Sequence, residues 1–268
     1  MRRLTTARAP RPAFWAAGFG AALSAAVMLS ASPVRAQEEE TPLPHVSWSF
    51  SGPFGTFDQA SAQRGFQVYN EVCSACHSMR LMSYRNLAGI GLSPEQIKAI
   101  AASKTVPGPL DDDGKPTTRP GLPSDHFVSP FPNDKAARAA NNGALPPDQS
   151  LIEKARAGGA TYIYALVGKG YVDPPAGVKV PDGLYYNKYF PGHNIHMPPP
   201  LADGSVTYAD GTKATVEQEA HDVATFLTFA SNPELDQRKH LGIRVAGFVF
   251  LLGCVTYGAK RRLWRDVH

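Results

Sequence analysis

Cysteine is scarce in this sequence, with three among 268 residues. A zinc ribbon wants two pairs, and beyond Cys73 and Cys76 only Cys254 remains, inside an apolar run near the C-terminus. The βαβ pattern that houses a thioredoxin-like dithiol is missing too. Charged residues make up 19% against 43% apolar, so most of the chain should fold. No internal repeat is visible. Helical periodicity fades from Ala88 to Ser150, where Pro107, Pro109, Pro116, Pro120 and their successors break it repeatedly. Asp111-Asp112-Asp113-Gly114 lacks the alternation and distal Glu of a calcium loop and reads as a solvated acidic turn. The 24 Pro and 24 Gly point to long ordered loops, a common site of function.

What is present is Cys73-Ser74-Ala75-Cys76-His77, the attachment signature of a c-type haem. Each thiol adds across one vinyl group, so two sulfurs must reach two corners of one porphyrin edge. One helical turn between the cysteines does that and brings His77 under the iron as a nitrogen donor.

Both ends of the chain are special segments. Residues 1–36 read as a signal peptide: Arg2, Arg3, Arg8 and Arg11, then an apolar small-residue stretch, then Val34-Arg35-Ala36 as a cleavage site. Near the other end, 241–257 is a 17-residue run in which only Arg244 is charged, close to the short limit for a spanning helix of about 17–25 residues. Lys260, Arg261, Arg262 and Arg265 follow it, with Trp264 as an interface anchor. The expected organisation is a signal peptide (1–36), a periplasmic haem domain (37–238), a transmembrane helix (239–259) and a cytoplasmic tail (260–268), in a bacterial inner membrane.

Within the haem domain, Asp58 is a plausible N-cap for a helix running to about Cys76, with Phe66, Tyr69, Val72 and Cys73 on one face. Gly65, four residues before Tyr69, permits a second helix to cross closely. Helices are also expected over 94–103, capped by Ser93, and over 134–140, capped by Asn133. Leu151 to Gly168 is helical with an interruption at Gly158-Gly159. Thr215-Val216-Glu217-Gln218 opens a last helix with Val216, Ala220, Val223, Leu227 and Ala230 on one face. A terminal helix pair therefore brackets a loop-rich middle, the plan of a cytochrome c domain enlarged by insertions. For the second axial position the neutral or soft donors are Met79, Met82, Met197, His126, His193, His196 and His221. Met79 and Met82 lie too close to His77, and His221 reads as a surface residue of the last helix. Met197 sits far along the chain in a proline-stiffened loop; spacing alone leaves it open against its neighbour His196.

Longer stretches carry a resemblance. The runs from Trp48 to Asp58, from Arg64 to His77, Arg119-Pro120-Gly121, from Ala136 to Asp148, from Tyr185 to Leu201 and from Asp210 to Gly242 are similar to the cytochrome c1 family, the haem subunit of the ubiquinol–cytochrome c reductase (bc1) complex. The resemblance implies an all-α, class I cytochrome c fold with long loop insertions and one C-terminal transmembrane helix. It implies one covalent haem c held by Cys73, Cys76, His77 and Met197, with Arg156 pairing a propionate and Tyr162 near the same edge. The implied partners are cytochrome b, the Rieske iron–sulfur protein as donor, a soluble c-type cytochrome as acceptor, and the membrane, with no nucleic acid. The chain would then be a redox subunit of the enzyme, without quinol oxidation of its own. The alternatives are a freestanding membrane-anchored carrier and a haem sensor with an open sixth position. The sequence departs from the family at Gln149, where leucine usually follows Pro-Pro-Asp, and it lacks the loop disulfide that some bacterial members have.

Overall fold

The computed structural model describes residues 41–267; the segment read as a signal peptide lies outside them. Asp58 starts the first helix, α1 (Gln59–Glu71), by accepting from the Ala60 and Ser61 amides at 2.9 and 3.2 Å. The helix buries Phe66, Val68 and Tyr69. It stops short of Cys76. The chain tightens instead into a 3-10 turn, Cys73–Ala75, where the Cys76 and His77 amides both donate to the Cys73 carbonyl at 3.2 and 2.9 Å.

A seven-residue 3-10 helix, Tyr84–Ile90, leads to α2 (Pro94–Ala102). Ser93 and Gln96 form a reciprocal capping box there, and Pro94 occupies the first turn. The prolines that follow do not leave a bare loop. β1 (Thr105–Leu110) and β2 (Pro116–Pro120) pair antiparallel around the acidic turn. A two-stranded ribbon has only edges, so Pro107, Pro109 and Pro116 can sit in it on sides that need no donor. Asp111 closes the turn with its own carboxylate, accepting from the Asp113 and Lys115 amides. α3 (Asp134–Ala140) is capped by Asn133.

α4 (Gly159–Tyr164) is capped by Gly158 and opens on Gly159, both at positive φ, and runs into a π turn, Ala165–Lys169. A second ribbon, β3 (Tyr185–Tyr186) with β4 (Asn194–Ile195), stiffens the late loop. α5 (Val216–Ser231), capped by Thr215, is buried from Glu219 to Ser231 except at His221. It packs on α1 and on α4, which is why burial goes beyond the single expected face. At Gly65 the crossing is so close that a Cβ would collide with the Asp222 carbonyl of α5. The crossing also buries a charge cluster. Asp222 accepts from Arg64 at 2.8 and 3.1 Å, from Ser61 at 2.6 Å and from Gln218 at 3.0 Å, while Arg64 also reaches Asp210 at 2.8 Å.

The last element, α6 (Leu235–Leu263), is 29 residues, about 43 Å at 1.5 Å per residue. It is long and apolar enough to cross a membrane, and none of it is buried. Its first turns are tied to the aromatic segment before α1. Asp236 accepts from the Phe57 amide, and Lys239 donates to the carbonyls of Phe50 and Gly55 at 2.6 and 2.9 Å. Trp48 and Phe57 in that segment are buried, whereas Phe54 is exposed.

Candidate functional site

His77 leaves the 3-10 turn with its ring fixed. Nδ1 lies 2.8 Å from the Pro147 carbonyl, so it carries the proton and donates it, and Nε2 is left with a free lone pair. Burial pushes the His77 pKa down against the opposing effects of that carbonyl and of Asp148. The imidazole is therefore neutral, the form that binds a metal, with the second-shell bond that such ligands use.

The loop that supplies Pro147 is clamped to the motif. Asp148 accepts from the Ser78 hydroxyl at 2.7 Å and from the amides of Arg80 and Ser150 at 2.9 Å. Burial pushes the Asp148 carboxyl up, but these bonds outweigh it and hold its pKa below the usual value. The Gln149 amide donates to the Ser78 carbonyl at 2.8 Å, and the Leu81 amide to Ser150 Oγ at 3.0 Å.

Above His77 opens a cavity of about 570 Å³, within the usual range for cofactor sites of about 300–1,000 Å³. Cys76, His77, Arg156, Tyr162 and Met197 all line it, and Val223 and Leu227 of α5 form part of its apolar wall. Cys73 packs half-buried against the core. Burial first, then Cys76, pushes its thiol pKa up to about 12. A redox dithiol works through a low-pKa thiolate, which burial disfavours at Cys73. Among the described residues, no three His, Cys, Asp or Glu side chains cluster as a zinc site would require.

Of the seven candidate axial donors, Met197 and His196 line the cavity. Met79 and Met82 are buried in the core. His126 bridges to Ser83, and His193 lies beside the Tyr186 ring. His221, expected at the surface, is half-buried and stacks on Trp48 with centroids 4.7 Å apart. Met197 is half-buried and its loop is held from two sides, by the Tyr171 hydroxyl donating to its carbonyl at 2.9 Å and by the β3–β4 pairing at Ile195. Arg156 is exposed at the cavity rim. Burial raises the Tyr162 pKa, partly offset by the nearby Arg156.

Reading the residues in order missed three members of this site: the Pro147 carbonyl, Asp148 and Gln149. The Pro146-Pro147-Asp148 run was a signal for a fixed turn, but nothing in it names the atom that the turn presents.

These donors fit a haem: two thiols beside a neutral histidine, a thioether from a distant loop, an apolar wall and a cation at the rim. The comparisons with known proteins agree. The sequence pattern of the Cytochrome C1 family matches residues 48–267. The chain is 48% identical over 264 residues to cytochrome c1 of Rhodospirillum rubrum, covering 92% of this chain and 97% of that one. It is 46% identical to the "Cytochrome b-c1 complex catalytic subunit, mitochondrial" of Candida albicans, over 89% of this chain and 83% of that one. It is 44% identical to "Cytochrome b/c1" of Bradyrhizobium diazoefficiens, over 89% of this chain and 38% of that longer polypeptide. The chain belongs to the cytochrome c1 family.

Proposed function

We infer that this chain is the haem-bearing electron-transfer subunit of a quinol–cytochrome c reductase complex. The observation that carries the reading is the single cavity shared by Cys76, His77 and Met197, with His77 Nδ1 already committed to Pro147. The cofactor is a covalent c-type haem, as in the family. Cys73 and Cys76 would hold it through thioether bonds, and His77 Nε2 and the Met197 thioether would be the donors to its iron. Arg156 would pair with a propionate, with Tyr162 beside it. When bound, the haem supplies the one-electron couple of its iron, and the protein tunes that couple.

The chain's own residues do the rest. Burial and the Pro147 carbonyl keep His77 neutral and oriented. Tyr171 and the prolines after Met197 hold the thioether in place. Val223, Leu227 and their neighbours exclude water from the cavity. No group here needs to act as nucleophile or base, so quinol oxidation belongs to other subunits.

Cytochrome b is the first partner, which a relative named as one b/c1 polypeptide supports. The Rieske iron–sulfur protein is the donor and a soluble c-type cytochrome the acceptor. α6 anchors the chain, with residues 37–238 as the haem domain in the periplasm, 239–259 in the inner membrane and 260–268 in the cytoplasm; the basic residues after 259 suit that side.

The test is a denaturing gel of the full-length chain from its own membranes, stained for haem peroxidase activity. Stain should migrate with the polypeptide and vanish in a Cys73→Ser, Cys76→Ser double variant. Unstained wild-type chain would overturn the reading.

A further inference from the structure

One large apolar side chain beside the base of α6 has no cover. Phe54 is 78% exposed, whereas Trp48 and Phe57 of the same segment are buried and Phe50 packs against the core. It sits in Gly52-Pro53-Phe54-Gly55, a tightly fixed turn. Gly52 is at positive φ, Pro53 has its φ locked by its ring, and a Cβ at Gly55 would collide with the carbonyls of Ser49 and Ser51.

Two contacts set the turn's place along α6. The Phe57 amide donates to Asp236, and the Gly55 carbonyl accepts from Lys239, three residues nearer the apolar run. Going back along the loop from Phe57 to Gly55 therefore moves about 4.5 Å along α6 toward the membrane, at about 1.5 Å per residue. Phe54 comes next in that direction, and the apolar run starts two residues beyond Lys239, at Leu241. The outer end of α6 has no interface aromatic of its own. From Leu235 to Gly247 there is no Phe, Tyr or Trp, whereas Tyr257 and Trp264 stand at the other end. Spanning segments usually carry aromatic side chains at both edges of the bilayer.

We propose that Phe54 is the missing outer-edge anchor, seated in the lipid headgroup layer beside α6 and giving the folded domain a second point of contact with the membrane. The proposal rests on α6 crossing the membrane and is independent of the haem ligands. The make-up of the loop favours lipid over protein as the occupant. One aromatic side chain offers about 150–250 Å², and its exposed neighbours Ser51, Gly52, Pro53 and Thr56 are small. A stable protein contact buries about 800 Å² on each partner. A headgroup layer accepts a single ring without any matching surface. Contact on this scale orients the domain, and α6 alone holds it to the membrane.

The experiment places a bimane fluorophore on the loop of the full-length chain, reconstituted in vesicles of phosphatidylcholine and phosphatidylglycerol. Cys254→Ser removes the thiol that haem attachment leaves free, and Ser51→Cys takes the label, so that Phe54 itself stays native. Quenching by iodide in water is compared with quenching by nitroxide-bearing lipid. The references are the same label at Asp112→Cys, in the exposed acidic turn, and at Val249→Cys, in the middle of the apolar run. With Phe54 in place, lipid quenching at position 51 should exceed that at position 112 by about threefold or more. Phe54→Ser should return the label to iodide, and Phe54→Trp should keep it with the lipid. A label quenched by iodide as it is at position 112, or one that Phe54→Ser leaves unchanged, would overturn the proposal. So would a label that lies in water in vesicles but is shielded from both quenchers in the native membrane complex, since another subunit would then be the cover. Iodide quenching at position 249 would instead remove the spanning reading of α6, so the two failures are distinguishable.

Discussion

At the scale of single residues, the weight falls on two side chains that are far from each other in role. Met197 is a proposed ligand held by its backbone: the Tyr171 hydroxyl bonds its carbonyl and not its sulfur. Met197→Leu should therefore leave the loop in place and remove only the thioether. The reduced protein should then bind carbon monoxide, and its midpoint potential should fall by about 100 mV, within the roughly 0.8 V range that axial ligation spans. An unchanged potential would point to His196, which lines the same cavity. Asp222 is structural. Burial alone would raise its pKa, but the nearby His221 ring, 3.9 Å away, and the bonds from Arg64, Ser61 and Gln218 outweigh burial and depress it. A depressed folded pKa gives stability that is present above the unfolded value of about 3.9 and is lost as pH falls through the folded value. Asp222→Asn should cost about 2–3 kcal/mol at neutral pH, with the loss limited because Arg64 keeps Asp210. Thermal unfolding at pH 7 should show a Tm lower by about 4–12 °C, and the gap should narrow as pH falls below the unfolded carboxylate value of about 3.9.

At the scale of elements, α6 is both an anchor and a fastener. Its first turn packs Leu235 against the core, and Asp236 and Lys239 bind the aromatic segment that precedes α1. A chain stopped after His240, signal retained, should give a soluble haem protein, whereas one stopped after Asn232 should be markedly less stable. In the full chain, Lys239→Met should cost about 1–2 kcal/mol, measured as a shift in denaturant midpoint. Equal stability of the two truncated chains would show that the base of α6 adds nothing to the domain. The sequence was most legible where structure is local. Ser93 and Asn133 cap the helices expected of them because a cap needs only its next three residues. Gly65 marked the helix crossing because only a missing side chain allows that approach. The β1–β2 ribbon was illegible because prolines suit a loop and a two-stranded edge equally well. In the site, the Cys-x-x-Cys-His motif announced itself, since its spacing is the chemistry. The Pro147 carbonyl did not, since a backbone acceptor leaves no mark in the sequence. The Arg64–Asp222 contact spans 158 residues, a separation at which no pattern operates.

At the scale of the whole molecule, charge separates into regions. The full chain is formally +4, but five Arg lie in the segment read as signal, and Arg244 with four basic residues lies in or beyond the membrane run. From Gln37 to His240 there are 17 Lys and Arg against 22 Asp and Glu, a formal −5. Part of this is neutralised internally: Arg64 faces Asp210 and Asp222, Arg119 faces Asp125, and Lys169 faces Glu217. The hairpin turn holds Asp111, Asp112 and Asp113 together in solvent, with Lys115 offsetting one of them. An acidic domain should attract a basic soluble acceptor, and such steering speeds encounter more than it tightens the complex. The Debye length shrinks from about 30 Å at 0.01 M salt to about 8 Å at physiological salt, so attraction on this scale should be screened in that interval. The second-order rate of oxidation by the native soluble cytochrome should therefore fall by about tenfold across that series. Asp112→Asn with Asp113→Asn leaves Asp111 to close the turn, so it tests charge without unmaking the hairpin. If the hairpin contributes, this pair should lower the rate at low salt and leave it unchanged at high salt. A slow but still steep double variant would move the docking charge elsewhere on the domain. A flat salt profile for wild type would exclude steering altogether and leave the apolar surface at the cavity mouth as the contact.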